Sequence, residues 1–238
     1  MKNTSVVGMD SFSQFGEDKI FLDYLASIAI LQGVFLEIGA NHPTKLSQTW
    51  LLEQHGWTGL LIEPLPDLAA MLREQRPNSQ VFESAVSSAD KAGQAYLLVK
   101  DDQAESELVF NKPAGEVAYQ TVQVRTLNDI LLEAGCQRID FLSIDIEGME
   151  IPALKSFDFD KYSPALILIE DHCHDLSKHR FMRSKGYKVV NRCGCNNWYI
   201  PNNKSYSGKK TISKYELYRK LYFGLPFRII RRRLKKRW

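Results

Sequence analysis

Four acidic residues, Glu37, Glu63, Asp145 and Glu170, each stand at or near the end of a short apolar run. Any one of them also reads as a helix N-cap or a first-turn acid favoured by the helix dipole. Four together read as a constellation, because parallel strands bring their carboxyl ends to one edge of a sheet, where nucleotide-like ligands bind. Glu63 follows the first strand end by 26 positions, where a carboxylate can accept from ribose hydroxyls and disfavours a 2′-phosphate. The turn Glu37-Ile38-Gly39-Ala40-Asn41 offers small residues that let a ligand approach the backbone. It lacks the full glycine pattern of a phosphate loop, and its carboxylate would repel a pyrophosphate. Ser84-Ala85-Val86, at the end of a third run, offers backbone groups and small side chains for an adenine edge.

An adenosine with a free ribose diol and a cationic, amino-acid-like group satisfies these conditions, and S-adenosylmethionine is such a ligand. The elements that must position the residues are legible from periodicity. Apolar runs at Val34 to Ile38, Gly59 to Glu63, Gln80 to Val86, Ile139 to Ile146 and Ala165 to Glu170 read as strands. Tyr96 to Val99 and Tyr119 to Val124 alternate as half-exposed strands do. Helical patterns cover Ser13 to Ile30 (with Ser13 or Asp18 as cap), Ser47 to His55, Leu65 to Arg76, Thr126 to Ala134 and Met149 to Ser156, and another ends at Phe181 to Gly186. Lys188 to Asn191 with Trp198 to Ile200 reads as a closing antiparallel hairpin. The alternation predicts an α/β fold with a mainly parallel sheet.

Composition excludes some classes. No window approaches eighteen consecutive apolar residues, and Met1 to Asp10 lacks the apolar core of a signal peptide. Cys136, Cys173, Cys193 and Cys195 show no disulfide spacing and read as reduced thiols of a cytosolic protein. The net charge of +3 hides a division: residues 202–238 hold thirteen Lys and Arg against Glu216 alone, a charge of +12, and the remainder carries −9. Pro201 is therefore the expected boundary between a domain over 1–201 and a basic tail over 202–238. Tyr215, Tyr218 and Tyr222 recur at helical spacing, as do Ile230, Leu234 and Trp238, with basic residues between. That is the pattern of an amphipathic helix on an anionic membrane, here at its inner face. A solvated tail and a nucleic-acid-binding tail remain alternatives.

Four blocks carry a family resemblance: Ser13-Gln14-Phe15-Gly16-Glu17-Asp18, Leu36 to Pro43, Gly56 to Pro64, and Ile139 to Gly148. In this order they resemble the FkbM family of methyltransferases, over about Ser13 to Pro201. The resemblance implies the Rossmann-like class I methyltransferase sandwich and methyl transfer from S-adenosylmethionine to an oxygen, typically a hydroxyl of a sugar or polyketide. It sets Gln14, Phe15 and Pro64 beside Glu37, Gly39, Ala40, Asn41, Glu63, Ser84, Ala85 and Asp145 as cofactor contacts. Asn41-His42-Pro43 departs from the glycine-rich ending of many class I enzymes and leaves the seat of the methionine carboxylate open.

A hydroxyl acceptor needs a base, a metal, or both. Asp145 and Glu147 follow one strand, and Glu170-Asp171-His172-Cys173-His174 follows the next. His172 or His174 could serve as general base, or both could belong to a surface loop. Asp145, Glu170 and Asp171 form a hard oxygen set for Mg²⁺ or another divalent ion, similar to the arrangement of catechol O-methyltransferases. Without a metal, Asp145 and Glu147 would orient the acceptor. The spacing of His172, Cys173, His174 and Cys193 matches no common zinc motif. The competing class is a binding module that keeps the fold for RNA or a partner without turnover.

Overall fold

The computed structural model describes residues 10–99, 106–115, 117–224 and 228. Seven strands form the main sheet: β1 (Val34–Ile38), β2 (Thr58–Ile62), β3 (Ser79–Phe82), β8 (Phe141–Ile144), β9 (Leu166–Glu170), β10 (Tyr187–Cys193) and β11 (Asn196–Pro201). Their order is β10-β11-β9-β8-β1-β2-β3. β3, β2, β1, β8 and β9 run parallel, and β11 runs antiparallel to β9 and to β10. The expected C-terminal hairpin thus closes one edge. The strand order reverses between β1 and β8, so the crevice outside their carboxyl ends is the topological switch point.

Alternation along the strands splits the core into two layers. Leu36 and Ile38 of β1 pack with Leu142, Ile144, Ile167 and Ile169 on one face. That face is covered by α4 (Leu127–Glu133), α5 (Glu150–Lys155), α6 (Phe159–Tyr162) and α7 (Ser177–Ser184). Phe35, Phe141, Leu166 and Leu168 take the other face, under α1 (Glu17–Ser27), α2 (Trp50–Gln54) and α3 (Pro66–Gln75). Phe21 of α1 stacks on Phe141 with ring centroids 4.6 Å apart. Each such fully buried side chain contributes about 1.5–3 kcal/mol. Neither expected cap holds the N-cap position of α1, which is Gly16 at φ +69°; instead Ser13 Oγ accepts from the first-turn amides of Glu17 and Asp18, and the Asp18 carboxylate accepts from the amides of Phe12 and Ser13. Pro66 opens α3, where its fixed φ suits the first turn.

The run from Gln80 to Val86 is not one strand. The chain turns at Glu83–Ser84, with the Ser84 amide donating to the Phe82 carbonyl at 3.1 Å. β4 (Ala85–Val86) then joins a second sheet with β5 (Gly93–Leu98), β6 (Glu107–Val109) and β7 (Tyr119–Arg125), in the order β4-β7-β5-β6. Ala85 packs there with Leu65, Leu68, Ala95, Leu97, Val122 and Val124. These apolar contacts draw the second half of the run away from the main sheet.

Contact with the body continues beyond Pro201. Thr211 bonds to Asn191 Oδ1 and the Arg192 carbonyl. α8 (Lys214–Tyr218) starts with a capping box of Ser213 and Glu216, and the helical turn over Arg219–Phe223 follows it. Leu217 and Leu221 face inward against Cys173, while Tyr215 and Tyr218 are exposed. Of the three tyrosines expected to share a face, Tyr222 packs beside these leucines. Of the rest of the proposed amphipathic helix, Ile230, Leu234, Trp238 and the basic run 231–237 lie outside the described residues. Among the described residues, no helix is long and apolar enough to cross a membrane.

Candidate active site

The turn after β1 is drawn tightly against β2 and β8. The amides of Gly39 and Ala40 donate to the Ile62 carbonyl, and the Asp145 amide donates to the Ile38 carbonyl. Gly39 has φ +81°, and a Cβ there would lie 2.0 Å from the Asp145 carbonyl oxygen. Only glycine permits this approach, which seats the acids of β1 and β8 side by side.

Glu37 turns its carboxylate to the loop that leads into α2. It accepts from the Gln48 amide at 2.9 Å and from the hydroxyls of Ser47 and Thr49. Burial raises its pKa, against the opposing pull of Arg76 and these bonds. Arg76 is itself fully buried. Its guanidinium pairs with Glu53 at 2.6 Å and donates to Thr49, Ser47 and the Pro43 carbonyl. The loop between β1 and α2 is thus fixed from both sides. His42 belongs to the same loop, its Nδ1 accepting from the Thr44 and Lys45 amides.

Glu63 follows β2 and accepts from the Asn41 amide on one oxygen and the Leu65 amide on the other, each at 2.9 Å. Burial raises its pKa and the two amides lower it. Each oxygen keeps a second lone pair for a ligand hydroxyl. Beside it opens a cavity of about 520 Å³. Gln14, Phe15, Glu37, Gly39, Ala40, Asn41, Glu63, Pro64, Ser84, Ala85 and Asp145, separated in sequence by up to 131 positions, all line it. Phe15 is held there by the β10–β11 turn: a Cβ on Gly194 would lie 2.2 Å from its ring.

At the far end of the cavity, ligand-capable oxygens of Asp145, Glu147 and Glu170 lie within 4.8 Å of one another. The Asp145 pKa is pushed up to about 8 by burial, by the charge of Glu170 and by a hydrogen bond with it, with Glu147 and Glu150 adding to the effect. Asp145 is nonetheless open to the cleft, so water moderates the shift. Glu147 adopts φ +50°. His172 Nε2 lies 3.2 Å from Glu170 Oε1, and His172 lines the cavity.

Two expected residues fall elsewhere. Asp171 does not join Asp145 and Glu170: its carboxylate accepts from Asn197 Nδ2 at 2.8 Å and the Cys173 amide at 2.7 Å. Successive residues at a strand end point to opposite faces, so when Glu170 faces the cleft Asp171 cannot. Glu147 takes its place in the cluster. His174 is not part of the cavity wall, although its ring centroid lies 5.7 Å from that of His172.

Other site residues carry little sequence signal. Gln48, Cys195, and Leu97 and Leu108 of the second sheet line the cavity. Glu17 is fully buried behind Gln48, and its pKa is pushed up to about 7 by burial. Glu150, also buried, pairs with Lys178 at 2.8 Å, and the same ammonium donates to the Glu170 carbonyl. Apolar periodicity cannot find these groups. The acid pair Glu17-Asp18, sitting in a helix otherwise read from its apolar face, is the one signal available.

A main sheet in the order β3-β2-β1-β8-β9-β11-β10, with its cleft at the switch point, defines a Rossmann-like class I methyltransferase fold. The model of the Methyltransferase FkbM domain matches residues 37–189. The chain belongs to the FkbM methyltransferase family. Similar solved structures include a methyltransferase FkbM from Methylobacillus flagellatus KT, at 18% identity and TM-score 0.46, covering 71% of this chain and 43% of that one. A methyltransferase from Geobacter sulfurreducens is similar at 13% identity and TM-score 0.43, covering 80% of each chain. The N-terminal domain of human METTL16, in complex with SAH, is similar at 15% identity and TM-score 0.34, covering 76% of this chain and 69% of that one. This chain therefore spans less than half the length of the Methylobacillus protein. No curated protein matches it.

Proposed function

We propose that this chain transfers a methyl group from S-adenosylmethionine to a hydroxyl of a sugar, glycan or related metabolite. The observation that carries the reading is one continuous cleft, with Glu63, just after β2, at one part and the Asp145–Glu147–Glu170 cluster at another. Glu63 supplies acceptors for a ribose diol, and Ser84 and Ala85 flank it for the adenine. Five carboxylates and the single ammonium of Lys45 line the wall among the described residues. That balance favours a cationic sulfonium ligand and disfavours a phosphodiester, which argues against RNA in this cleft.

S-adenosylmethionine held there would supply the methyl group and take up the carbon–sulfur electrons, leaving a neutral thioether, and the acceptor hydroxyl would have to give up its proton. Asp145, with its pKa near 8, is suited to take it in its ionised form, and His172 stands 3.2 Å from Glu170 as a second base. Glu147 and Glu170 accept from neighbouring hydroxyls of a polyol and orient it.

A second reading adds a divalent cation. The three convergent carboxylates fit a hard ion such as Mg²⁺ or Mn²⁺, with Glu147 rather than Asp171 as the third ligand. Such an ion would act as a Lewis acid on the acceptor oxygen.

The test combines calorimetry with turnover. Glu63→Ala should weaken binding of S-adenosylhomocysteine by about 1–3 kcal/mol, the scale of lost hydrogen bonds to a charged group. Asp145→Asn, assayed against a panel of sugar acceptors, should lower kcat far more than it lowers cofactor affinity. Unchanged affinity in the Glu63 variant rejects the cofactor assignment. Full activity in chelator rejects the metal and leaves acid–base chemistry.

A further inference from the structure

We propose that Gln48 binds the cofactor: its side-chain carbonyl accepts from the α-ammonium of the methionine portion, and the buried carboxylate of Glu17 fixes the amide in that orientation. The inference rests on the cofactor reading above and adds where the amino-acid end sits.

Gln48 is anchored twice. Its backbone amide donates to Glu37 Oε1 at 2.9 Å, and its Nε2 donates to Glu17 Oε1 at 3.0 Å. Glu17 also receives Asn196 Nδ2 at 2.6 Å and Trp198 Nε1 at 3.2 Å. With Glu17 ionised, its carboxylate gathers three donors and the NH₂ side of the Gln48 amide faces it. The carbonyl oxygen must then point the other way. That atom, Oε1, is buried and has no hydrogen-bond partner among the described residues, and Gln48 lines the cleft. A buried acceptor without a donor is costly, and here a bound ligand would supply the donor.

The order of the sheet identifies which ligand group reaches it. Ser84 lies just past the end of β3, and its Oγ is likewise buried and without a hydrogen-bond partner among the described residues, in the cleft wall where the cofactor reading seats the adenine. Glu63 at the end of β2 takes the ribose. Gln48 is tied through Glu37 to the end of β1, one strand further along, so the next portion of the ligand, the methionine, falls to it. Of the groups on that portion only the α-ammonium donates hydrogen bonds. Gln48 is a cofactor-binding residue, and Glu17 is a positioning residue that acts through it.

The experiment is calorimetry with three probes: S-adenosylhomocysteine, its analogue lacking the α-amine, and 5′-methylthioadenosine, which lacks the whole amino-acid portion. Gln48→Leu should raise the Kd for S-adenosylhomocysteine about tenfold or more and leave the Kd for methylthioadenosine within about twofold. Glu17→Gln should show the same selective loss. A wild-type chain should bind the desamino analogue at least about tenfold more weakly than S-adenosylhomocysteine. That comparison needs no variant to fold. Equal losses for both ligands in Gln48→Leu, or equal wild-type affinity for the compounds with and without the amine, overturn the proposal. A wild-type chain that binds none of the three overturns the cofactor reading itself, a distinguishable result.

Discussion

The acid cluster gives a prediction that needs no acceptor. Burial and the charge of Glu170 push the Asp145 pKa up to about 8 from an ordinary 3.8, and solvent in the cleft moderates that shift. With oxygens at most 4.8 Å apart, two unit charges repel by about 0.9 kcal/mol in water and about 3.5 kcal/mol at an effective dielectric of 20. At about 1.4 kcal/mol per pH unit these bracket a change of about 0.6 to 2.5 units. The cleft admits solvent to Asp145, which places the effect near the lower end, at about one unit. Glu170→Gln removes the charge, so the Asp145 inflection should move down by about that much. The sign for stability follows. Between about pH 4 and pH 8 the native chain keeps a proton that the unfolded chain has released, so this group's contribution to stability falls as pH rises through that window. Glu170→Gln should flatten the fall. The ¹³Cγ resonance of Asp145 reports the first effect, and urea unfolding at pH 5 and pH 8 reports the second. An Asp145 that titrates in the ordinary carboxylate range in the wild-type chain, or an inflection unmoved by Glu170→Gln, refutes the reasoning. If Mg²⁺ binds the cluster, it should also drive the inflection down by displacing the proton.

Arg76→Met should destabilise the chain by about 3–5 kcal/mol in urea unfolding, because it leaves Glu53 buried without its partner; an unchanged midpoint would show that the pair does not hold the loop. For the tail, we predict that full-length chain floats with anionic vesicles at low salt and is released as salt rises, since screening sets in over roughly 8–10 Å. Removing residues 225–238 should abolish flotation and leave binding of S-adenosylhomocysteine intact; a full-length chain that stays with the unbound fraction rules out the membrane. The cut belongs there and not at Thr211, because Leu217 and Leu221 cover Cys173 in the loop that carries His172.

The four acids were legible because their strands are continuous apolar runs. A run that ends in an acid marks both the strand and the residue delivered to the sheet edge. The second sheet was legible only in part: β5 and β7 show as the alternating Tyr96 to Val99 and Tyr119 to Val124, while β4 is two residues long and β6 three, too short for alternation to register. Glu170-Asp171 shows a limit of reading residue types without facing: both are acids at a strand end, yet only one faces the cleft. Glu17 shows another. In sequence it is a first-turn acid of α1, and its burial comes from Asn196 and Trp198, about 180 residues away. Arg76 reads as the charged end of a surface helix and instead lies wholly inside, between Phe35 and Trp50.

The sheet distributes the site's tasks by strand. In the proposed reading, the ends of β3 and β2 serve the nucleoside, the loop after β1 presents Gln48, and the acids after β8 and at the end of β9 serve the acceptor. At each of the last three ends a non-glycine residue takes a positive φ: Asn41 at +52°, Glu147 at +50° and Cys173 at +54°. Such residues cost on the order of 1–3 kcal/mol each and persist only where their surroundings over-determine them. The surroundings do so here. Glu63 accepts from the Asn41 amide, Glu150 accepts from the Gly148 amide next to Glu147, and Asp171 accepts from the Cys173 amide. Each of these three carboxylates is buried. Asp171 was expected to bind a metal; its position gives it a different task, holding the loop from which His172 reaches Glu170. The acids at these strand ends therefore divide into those that face the cleft and those that shape the backbone carrying them, and Glu37 and Glu63 belong to both.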